Sequence, residues 1–169
     1  KYNSLKIEVL YDDHENLHYV IFENKKLFFP DSMNEDEIRA YYRFLLSEQD
    51  MNSPHSYSSS KFPVKNNSVI IDIGTAEGIF ALKYVENSNK VYLFEPDEKW
   101  HRPLDATFRT WKEKVIIEKK FVSNVSNNTN CTTIDDYLKI DEDQNCTVKI
   151  DAEGFEQKIL TGSTKLINK

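Results

Sequence analysis

The sequence predicts an α/β fold in which a parallel sheet, with helices on both faces, follows a small β plus helix appendage. After residue 68, short apolar runs alternate with helical stretches, which is the pattern of parallel strands joined by right-handed crossovers. In residues 5–29, apolar and polar residues alternate, as in an antiparallel pair or meander. The chain has 169 residues, of which 39% are hydrophobic and 12% aromatic, so it can bury a core and is not disordered.

The appendage and a linker are expected to occupy residues 1–60. After the meander, Asn34 or Ser32 can cap a helix that carries an apolar stripe. The stripe consists of Ile38, Tyr41, Tyr42, Leu45 and Leu46. The polar segment at residues 48–60, EQDMNSPHSYSSS, then leads into the predicted sheet domain, residues 61–169.

Strands and helices alternate throughout the predicted sheet domain. The strands are expected at residues 69–73, 91–95, 115–122 and 147–151. The helices are expected at residues 77–86, near 98–111, from 133 onward and at 153–167. If the strand order is 3-2-1-4, the first and fourth strands are neighbours and a crevice opens at their carboxyl ends.

The turn after the first strand, DIGTAEG from Asp72 to Gly78, points to a cofactor site. Gly74 and Gly78 supply permissive backbone where the chain reverses and where a ligand must approach the main chain closely. Their spacing departs from the Gly-x-Gly-x-x-Gly fingerprint of dinucleotide sites. A carboxylate at Glu77, at the start of the predicted helix, would repel a phosphate. The turn therefore predicts an adenosine-containing ligand without phosphates, and S-adenosylmethionine is the candidate.

Two acids at strand ends complete the predicted crevice. Glu95 follows the second strand, where a carboxylate can accept hydrogen bonds from both ribose hydroxyls. By itself such an acid is equally consistent with a helix cap or a solvated turn, and the glycine turn upstream favours the ribose role. Asp151 ends the fourth strand, and Lys149 points to the same face because side chains alternate along a strand. Asp72, the glycine turn and Asp151 are expected to converge.

Composition narrows the partners and the compartment. The formal charge of -6 and a pI near 5.3 argue against a nucleic-acid partner. No apolar run reaches membrane-spanning length, so no membrane partner is expected. No signal peptide is evident. The chain begins at Lys1 rather than methionine, so it stays open whether a further N-terminal segment precedes it. Cys131 and Cys146 lack the spacing of a metal site or a disulfide framework. We expect a cytoplasmic protein, and its oligomeric state stays open.

Four segments together resemble the FkbM family of S-adenosylmethionine-dependent methyltransferases, in the same order and at similar intervals. They are DIGTAEGIF, LFEPDEKW, TTIDDYL and KIDAEGFEQKILTGSTKLI, and they cover Ser68 to about Ile167. Upstream, FFPDSMNEDEI and EQDMNSPHSY are similar to the lead-in of a bacterial branch of the family. The resemblance implies a Rossmann-like class I methyltransferase sheet. It also implies O-methylation of a small hydroxyl-bearing acceptor, such as a sugar or a secondary metabolite.

The resemblance also assigns roles to individual residues. Gly74 and Gly78 would hold the methionine portion of the cofactor, and Glu95 the ribose. The strand end at Val122 and Ser123 would border the adenine. The predicted cofactor-binding residues are Asp72, Gly74, Thr75, Ala76, Gly78, Glu95, Val122 and Ser123. Asp151 would face the transferred methyl group or the acceptor.

The chain departs from the family pattern in two ways. Family members usually continue with further strands that complete a seven-stranded sheet, whereas this sequence stops at Lys169. Because an unpaired edge would be left on the fourth strand, we expect a truncated or partly observed chain, or another segment or chain paired there. The second departure is Glu77, where many relatives have an uncharged residue.

Methyl transfer requires an acceptor oxygen held in line with the methyl group and a base for its proton. The predicted catalytic residues are Asp151, which accepts the proton or orients the acceptor, and His55 from the linker. A polar loop histidine is an equally good interpretation of His55. No metal ion is expected, although Asp151, Glu153 and Glu156 lie close in the sequence.

Two other functions remain open at this point. The fold can bind a cofactor or a nucleoside without catalysis, as an accessory domain. The second open function is that of a nicotinamide-dependent oxidoreductase, which the glycine spacing disfavours.

Overall fold

The computed structural model describes residues 2, 5–50, 53, 56–57, 63–127, 129–139 and 144–168. In chain order its strands are β1 (Leu10–Asp12), β2 (Leu17–Phe22), β3 (Lys25–Phe28), β4 (Val69–Ile73), β5 (Lys90–Phe94), β6 (Val115–Glu118), β7 (Phe121–Val122), β8 (Cys131–Thr132) and β9 (Cys146–Ile150). Its α-helices are α1 (Glu35–Glu48), α2 (Ile79–Tyr84), α3 (Glu98–Thr107), α4 (Ile134–Tyr137), α5 (Glu156–Thr161) and α6 (Thr164–Ile167). Short 3-10 turns, Val85–Asn87 and Arg109–Trp111, follow α2 and α3.

The central sheet contains four parallel strands in the order β6-β5-β4-β9. Numbered along the chain, this is 3-2-1-4, the order that the expected crevice requires, and the predicted α/β fold class is confirmed. Every residue of β4 is buried, as expected for a parallel strand covered on both faces. Ile73 pairs with Phe94 on one side and with Ile150 on the other, so the three strands end level. Their carboxyl ends therefore meet at one edge of the sheet.

The appendage is an antiparallel sheet of order β1-β2-β3, followed by α1. Glu23 and Asn24 join β2 to β3 in a two-residue turn, and both have the positive φ that tight hairpins require. The Asn34 side chain accepts hydrogen bonds from two backbone N–H groups in the first turn of α1. The Glu37 carboxylate accepts one from the Asn34 N–H in return, which completes a capping box. Of the two predicted caps, the structure uses Asn34 and not Ser32.

The appendage and the sheet share one hydrophobic core. Its buried members include Val20, Leu27, Phe29 and Ile38 from the appendage, and Ile70, Phe80, Leu93 and Leu104 from the sheet domain. The backbone N–H of Phe28 also donates to the Thr107 hydroxyl of α3 at 3.0 Å. A second core on the opposite face of the sheet contains Ile71, Ile73, Phe94, Val122, Ile134 and Ile159. The appendage is thus packed directly on the sheet domain.

Three predicted elements are shorter than expected, each for a local reason. The third strand ends at Glu118 and not at 122, because Glu118 pairs with Phe94, the last residue of β5. The chain then forms the separate β7, which pairs with β8. The last predicted helix is divided into α5 and α6, and it begins at Glu156 rather than 153 because Glu153 and Gly154 have positive φ. Helix α2 begins at Ile79 rather than 77, after a turn with left-handed backbone.

In the described parts of the chain, no helix has the length and apolarity needed to cross a membrane.

The start of the turn after β4 should tolerate no side chain at Gly74. Its φ is +70°, and a Cβ there would lie 1.8 Å from the carbonyl oxygen of Asp151. Gly154 is a matched control, because its φ is +93° but a Cβ there would meet nothing within 4 Å. We expect Gly154→Ala to lower the free energy of unfolding by about 1 to 2 kcal/mol, and Gly74→Ala by about 3 kcal/mol or more. Urea denaturation of both variants measures this, and equal losses would contradict the steric role of Gly74.

Candidate functional site

A cleft of about 650 Å³ opens where the carboxyl ends of β4, β5 and β9 meet. Its volume lies in the range of small-molecule sites, which is about 300 to 1,000 Å³. Helix α1 of the appendage forms one wall through Tyr41, Phe44, Leu45 and Glu48. Further aromatic lining comes from Tyr57, Phe80, Phe94, Trp100, Phe121 and Phe155. The predicted crevice is therefore an open cleft that is rich in aromatic rings.

The turn after β4 forms the floor of the cleft. Gly74, Ala76 and Gly78 all have positive φ, at 70°, 48° and 84°. A Cβ on Gly78 would lie 2.8 Å from the ring of Phe108, so both glycines of the turn are packed against protein atoms. Protein atoms fill the space that a side chain would take at either glycine, and the close approach of a ligand to the main chain of the turn stays a prediction. Gly74 still lines the cleft, together with Thr75 and Ala76, whereas Gly78 is not among the lining residues.

Glu95 ties this turn to the start of α3. The side chain follows β5, is 6% exposed and lines the cleft. One carboxylate oxygen accepts a hydrogen bond from the Ala76 N–H and the other from the Asp97 N–H, both at 2.8 Å. Each oxygen keeps a second lone pair for another donor. The structure thus holds the carboxylate rigidly at the cleft, and its binding to ribose stays a prediction.

Asp72 lies beneath the cleft and not in its wall. It is fully buried, and its Oδ1 is 3.0 Å from the ammonium of Lys149, its direct neighbour on β9. Lys149 also donates to the carbonyl of Gly74 at 2.8 Å and lines the cleft. Burial raises the pKa of the Asp72 carboxyl against the opposing effect of Lys149. Lys149, to which the sequence assigned no role, is therefore the member of this pair that a ligand can meet.

Burial alone would lower the pKa of the Lys149 ammonium. The carboxylates of Asp72, Asp151 and Glu77 outweigh this effect, and the pKa is raised on balance. Lys149 is therefore charged, and that charge is committed to Asp72.

Asp151 lines the cleft directly after β9. Its backbone N–H donates to the carbonyl of Ile73 at 3.0 Å, which fixes its position on the sheet. Its Oδ2 accepts a hydrogen bond from the Tyr57 hydroxyl at 2.6 Å. The Tyr57 ring lies edge-on to Phe80, and its centroid is 5.1 Å from the Lys149 ammonium. Burial raises the pKa of Tyr57, so its hydroxyl keeps its proton and donates.

The second predicted catalytic residue, His55, lies outside the described residues. Tyr57, from the same segment, lines the cleft, and nothing in the sequence except its aromatic side chain indicated this position.

Glu77 is turned into the cleft wall toward the appendage. It precedes α2 and is therefore not in the first turn of a helix, which corrects the expectation from the sequence. The side chain is 4% exposed, and one carboxyl oxygen accepts a hydrogen bond from the Tyr41 hydroxyl at 2.8 Å. Burial raises the pKa of Glu77 to about 7, although its own backbone N–H and Tyr41 act in the opposite direction. This buried acid can therefore change its charge near neutral pH.

The two predicted adenine-side residues differ in their positions. Val122, on β7, is buried and lines the cleft. Ser123 is buried beside it but is not a lining residue. Its N–H donates to the carbonyl of Thr132 at 2.9 Å, and its hydroxyl lies 3.2 Å from the side-chain oxygen of Asn124. Only Val122 presents a surface to the cleft.

The charges of the cleft leave a surplus of carboxylates. Each of the three lining lysines is paired: Lys99 with Asp97 at 3.0 Å, Lys120 with Glu118 at 3.6 Å, and Lys149 with Asp72 at 3.0 Å. Five lining acids have no cation within 4.0 Å among the residues described: Glu48, Glu77, Glu95, Asp151 and Glu153. Such a cleft attracts cationic ligands and disfavours phosphates.

The acids near the end of β9 do not gather around a common point. The Glu156 carboxylate accepts hydrogen bonds from the backbone N–H groups of Ala152 and Gly154, so it stabilises the turn before α5. Across the described segments, no three His, Cys, Asp or Glu side chains converge as possible metal ligands. Cys131 and Cys146 are not joined by a disulfide.

The sheet order, the flanking helices and the cleft define a Rossmann-like α/β fold. The chain is similar in structure to a crystal structure of the methyltransferase FkbM from Methylobacillus flagellatus KT, with a TM-score of 0.55. The match covers 80% of this chain and 42% of that chain, at 18% sequence identity. The chain thus has an FkbM-like methyltransferase fold and spans less than half the length of that protein. No family model matches the sequence, and no curated protein matches it either.

The stability of the protein should depend on pH through Glu77. Between its ordinary pKa of 4.5 and the folded value of about 7, the folded state holds more protons than the unfolded state, so the free energy of unfolding falls as pH rises. Glu77→Gln removes this loss and keeps an acceptor for Tyr41. We expect its advantage over the wild type to grow by about 2 to 3 kcal/mol between about pH 5 and about pH 8. Urea denaturation at both pH values measures it.

Glu113 is an exposed acid outside the cleft, and Glu113→Gln is the control, for which we expect no such growth. An advantage of Glu77→Gln that does not change with pH would contradict the assigned titration.

Proposed function

We propose that the protein transfers a methyl group from S-adenosylmethionine to a hydroxyl oxygen of a small acceptor. The observation that carries the proposal is the surplus of carboxylates in a cleft that opens at the carboxyl ends of parallel strands. S-adenosylmethionine has a cationic sulfur and no phosphate, so it suits such a cleft better than a dinucleotide does. The likeness to an FkbM methyltransferase structure supports the same reaction class.

The residues present fit this cofactor. The main chain of Gly74, Thr75 and Ala76 forms one side of its site, and Glu95 is positioned to accept hydrogen bonds from the ribose hydroxyls. Val122 offers an apolar surface for the adenine. The bound cofactor would supply a methyl group on a positively charged sulfur, which makes that carbon electrophilic. The protein has then to hold the acceptor and remove its proton.

Asp151 is the proposed base. Its carboxylate would accept the proton of the acceptor hydroxyl while the oxygen forms its bond to the methyl carbon. The bound cofactor would give up its methyl group to that oxygen and would keep the electron pair of the broken bond as a neutral thioether, so the protein has one proton to remove for each transfer. The Tyr57 hydroxyl donates a hydrogen bond to Oδ2 of Asp151. An acceptor hydroxyl would make the same kind of contact. His55 stays a second candidate.

The acceptor is proposed to be a small molecule, such as a sugar or a secondary metabolite, and the compartment is proposed to be the cytoplasm. The alternative function is that of a non-catalytic cofactor-binding domain. The contact between Tyr57 and Asp151 supports this alternative, because the Tyr57 hydroxyl occupies Oδ2, one of the two oxygens of the proposed base.

Binding of S-adenosylhomocysteine tests the cofactor site. We expect the wild type to bind it in isothermal titration and not to bind NADH. Glu95→Gln should weaken binding by about tenfold or more, because an amide nitrogen cannot accept the ribose hydrogen bonds. Glu113→Gln is the matched control and should bind like the wild type. Absence of binding to the wild type would refute the proposed cofactor.

Transfer of radiolabelled methyl groups to a panel of hydroxyl acceptors tests catalysis. We expect Asp151→Asn to lower turnover by about 100-fold or more and to leave affinity for S-adenosylhomocysteine within about twofold of wild type. Asp13→Asn, an exposed acid outside the cleft, should have no effect. A protein that binds the cofactor and methylates no acceptor would instead support the accessory-domain alternative.

A further inference from the structure

We propose that Glu77 is the residue that makes the cleft distinguish S-adenosylmethionine from its demethylated product. The inference rests on the proposed function and adds to it a specificity-determining residue. Glu77 lies in the wall of the cleft, between Ala76 and Gly78, which both have positive φ and form the turn that leads into α2. Its carboxyl group contacts the Tyr41 hydroxyl on α1. The position is thus fixed by both the sheet domain and the appendage.

The charge of Glu77 is not neutralised by a neighbouring cation. Within the described residues no Lys, Arg or His nitrogen lies within 4.0 Å of its carboxyl oxygens, and the nearby ammonium of Lys149 is held by Asp72. Tyr41 donates a hydrogen bond but carries no charge. When ionised, Glu77 is therefore a buried negative charge beside a cavity that can admit a ligand.

The two other inner acids are less suited to this role. The Glu95 carboxylate is bound by two backbone N–H groups, which stabilise its charge in place. The side chain of Asp151 is more exposed to water and accepts a hydrogen bond from Tyr57. Water screens charges strongly, and a buried site screens them weakly. The charge of Glu77 therefore acts more strongly on a ligand in the cleft than the charges of Glu95 and Asp151 do.

The ligand chemistry explains why a charge matters here. S-adenosylmethionine and S-adenosylhomocysteine share their adenosine, ammonium and carboxylate groups and differ only in the methyl group and the positive charge on sulfur. A sulfonium has no N–H or O–H and cannot donate a conventional hydrogen bond, so carboxylates and aromatic faces recognise it by charge. An ionised Glu77 therefore favours the methylated form, and the preference is lost after transfer, when the product must leave.

The ratio of the two affinities isolates this effect. In isothermal titration at about pH 8, we expect Glu77→Gln to lower the affinity for S-adenosylmethionine by about tenfold. The affinity for S-adenosylhomocysteine should stay within about twofold of the wild-type value. The variant is expected to fold, since it removes a buried charge. If the affinities for both ligands fall equally, or neither falls, Glu77 does not respond to the charge on the sulfur and the inference is overturned. If the wild type binds neither ligand, the proposed function itself fails.

The pH profile of the same ratio gives a second test. The groups that act on Glu77 are Tyr41 on α1, Lys149 on β9 and Asp72 on β4, and Glu48 and Glu95 act in turn on Tyr41. Lys149 and Tyr41 have raised pKa values and stay protonated near neutral pH. The wild-type preference for S-adenosylmethionine should therefore fall as pH drops through about 7, while Glu77→Gln shows a flat profile.

Tyr41→Phe sharpens the assignment. It removes the hydroxyl that favours the ionised form of Glu77, so the midpoint of the profile should move to higher pH. An unchanged midpoint, or a wild-type profile that Glu77→Gln reproduces, would overturn the inference.

Discussion

The buried pair of Lys149 and Asp72 is the interaction on which the arrangement of the cleft depends. The two residues are direct neighbours on the adjoining strands β9 and β4, at the level where the strands end. The ammonium also holds the carbonyl of Gly74, so one cation fixes both strands and the first residue of the turn. Removing either charge would leave the other buried, at a cost of about 3 to 5 kcal/mol. The pair therefore determines where Asp151 and the turn meet.

The same pair decides the charge of the cleft. If the Lys149 ammonium faced the ligand without a partner, the cleft would contain a strong anion site and would suit a phosphate. Its commitment to Asp72 leaves the remaining carboxylates without a compensating cation. The preference for a cationic ligand thus follows from a structural ion pair that itself lies mostly out of the reach of ligands. A cleft at the strand ends of a parallel sheet is therefore not an anion site by virtue of its architecture alone.

The sequence was sufficient for the sheet and insufficient for the side-chain contacts in the cleft. The apolar runs and the alternation of elements predicted the parallel strands, because burial on both faces leaves a strong signal in a parallel strand. Their order was only assumed, and the structure has the assumed order. The contacts of Tyr41 and Tyr57 could not be predicted, since they join residues that are 36 and 94 positions apart. The register of β4 and β9 would have identified Lys149 as the partner of Asp72. The glycine turn was located correctly, but its glycines are required by packing against Asp151 and Phe108.

The appendage takes part in the site and does more than cover the sheet. Tyr41 of helix α1 supplies the hydroxyl that donates to Glu77. The centroid of its ring lies 5.9 Å from the centroid of the Trp100 ring on α3. Since α1 also shares the core that supports the turn, a change in its packing would alter the environment of a buried acid whose pKa is already near 7. The charge state of the cleft is therefore coupled to the docking of the appendage. A parallel sheet with its turn could form a cofactor site without α1, but this site would lack the contact that holds its most deeply buried lining carboxyl group in place.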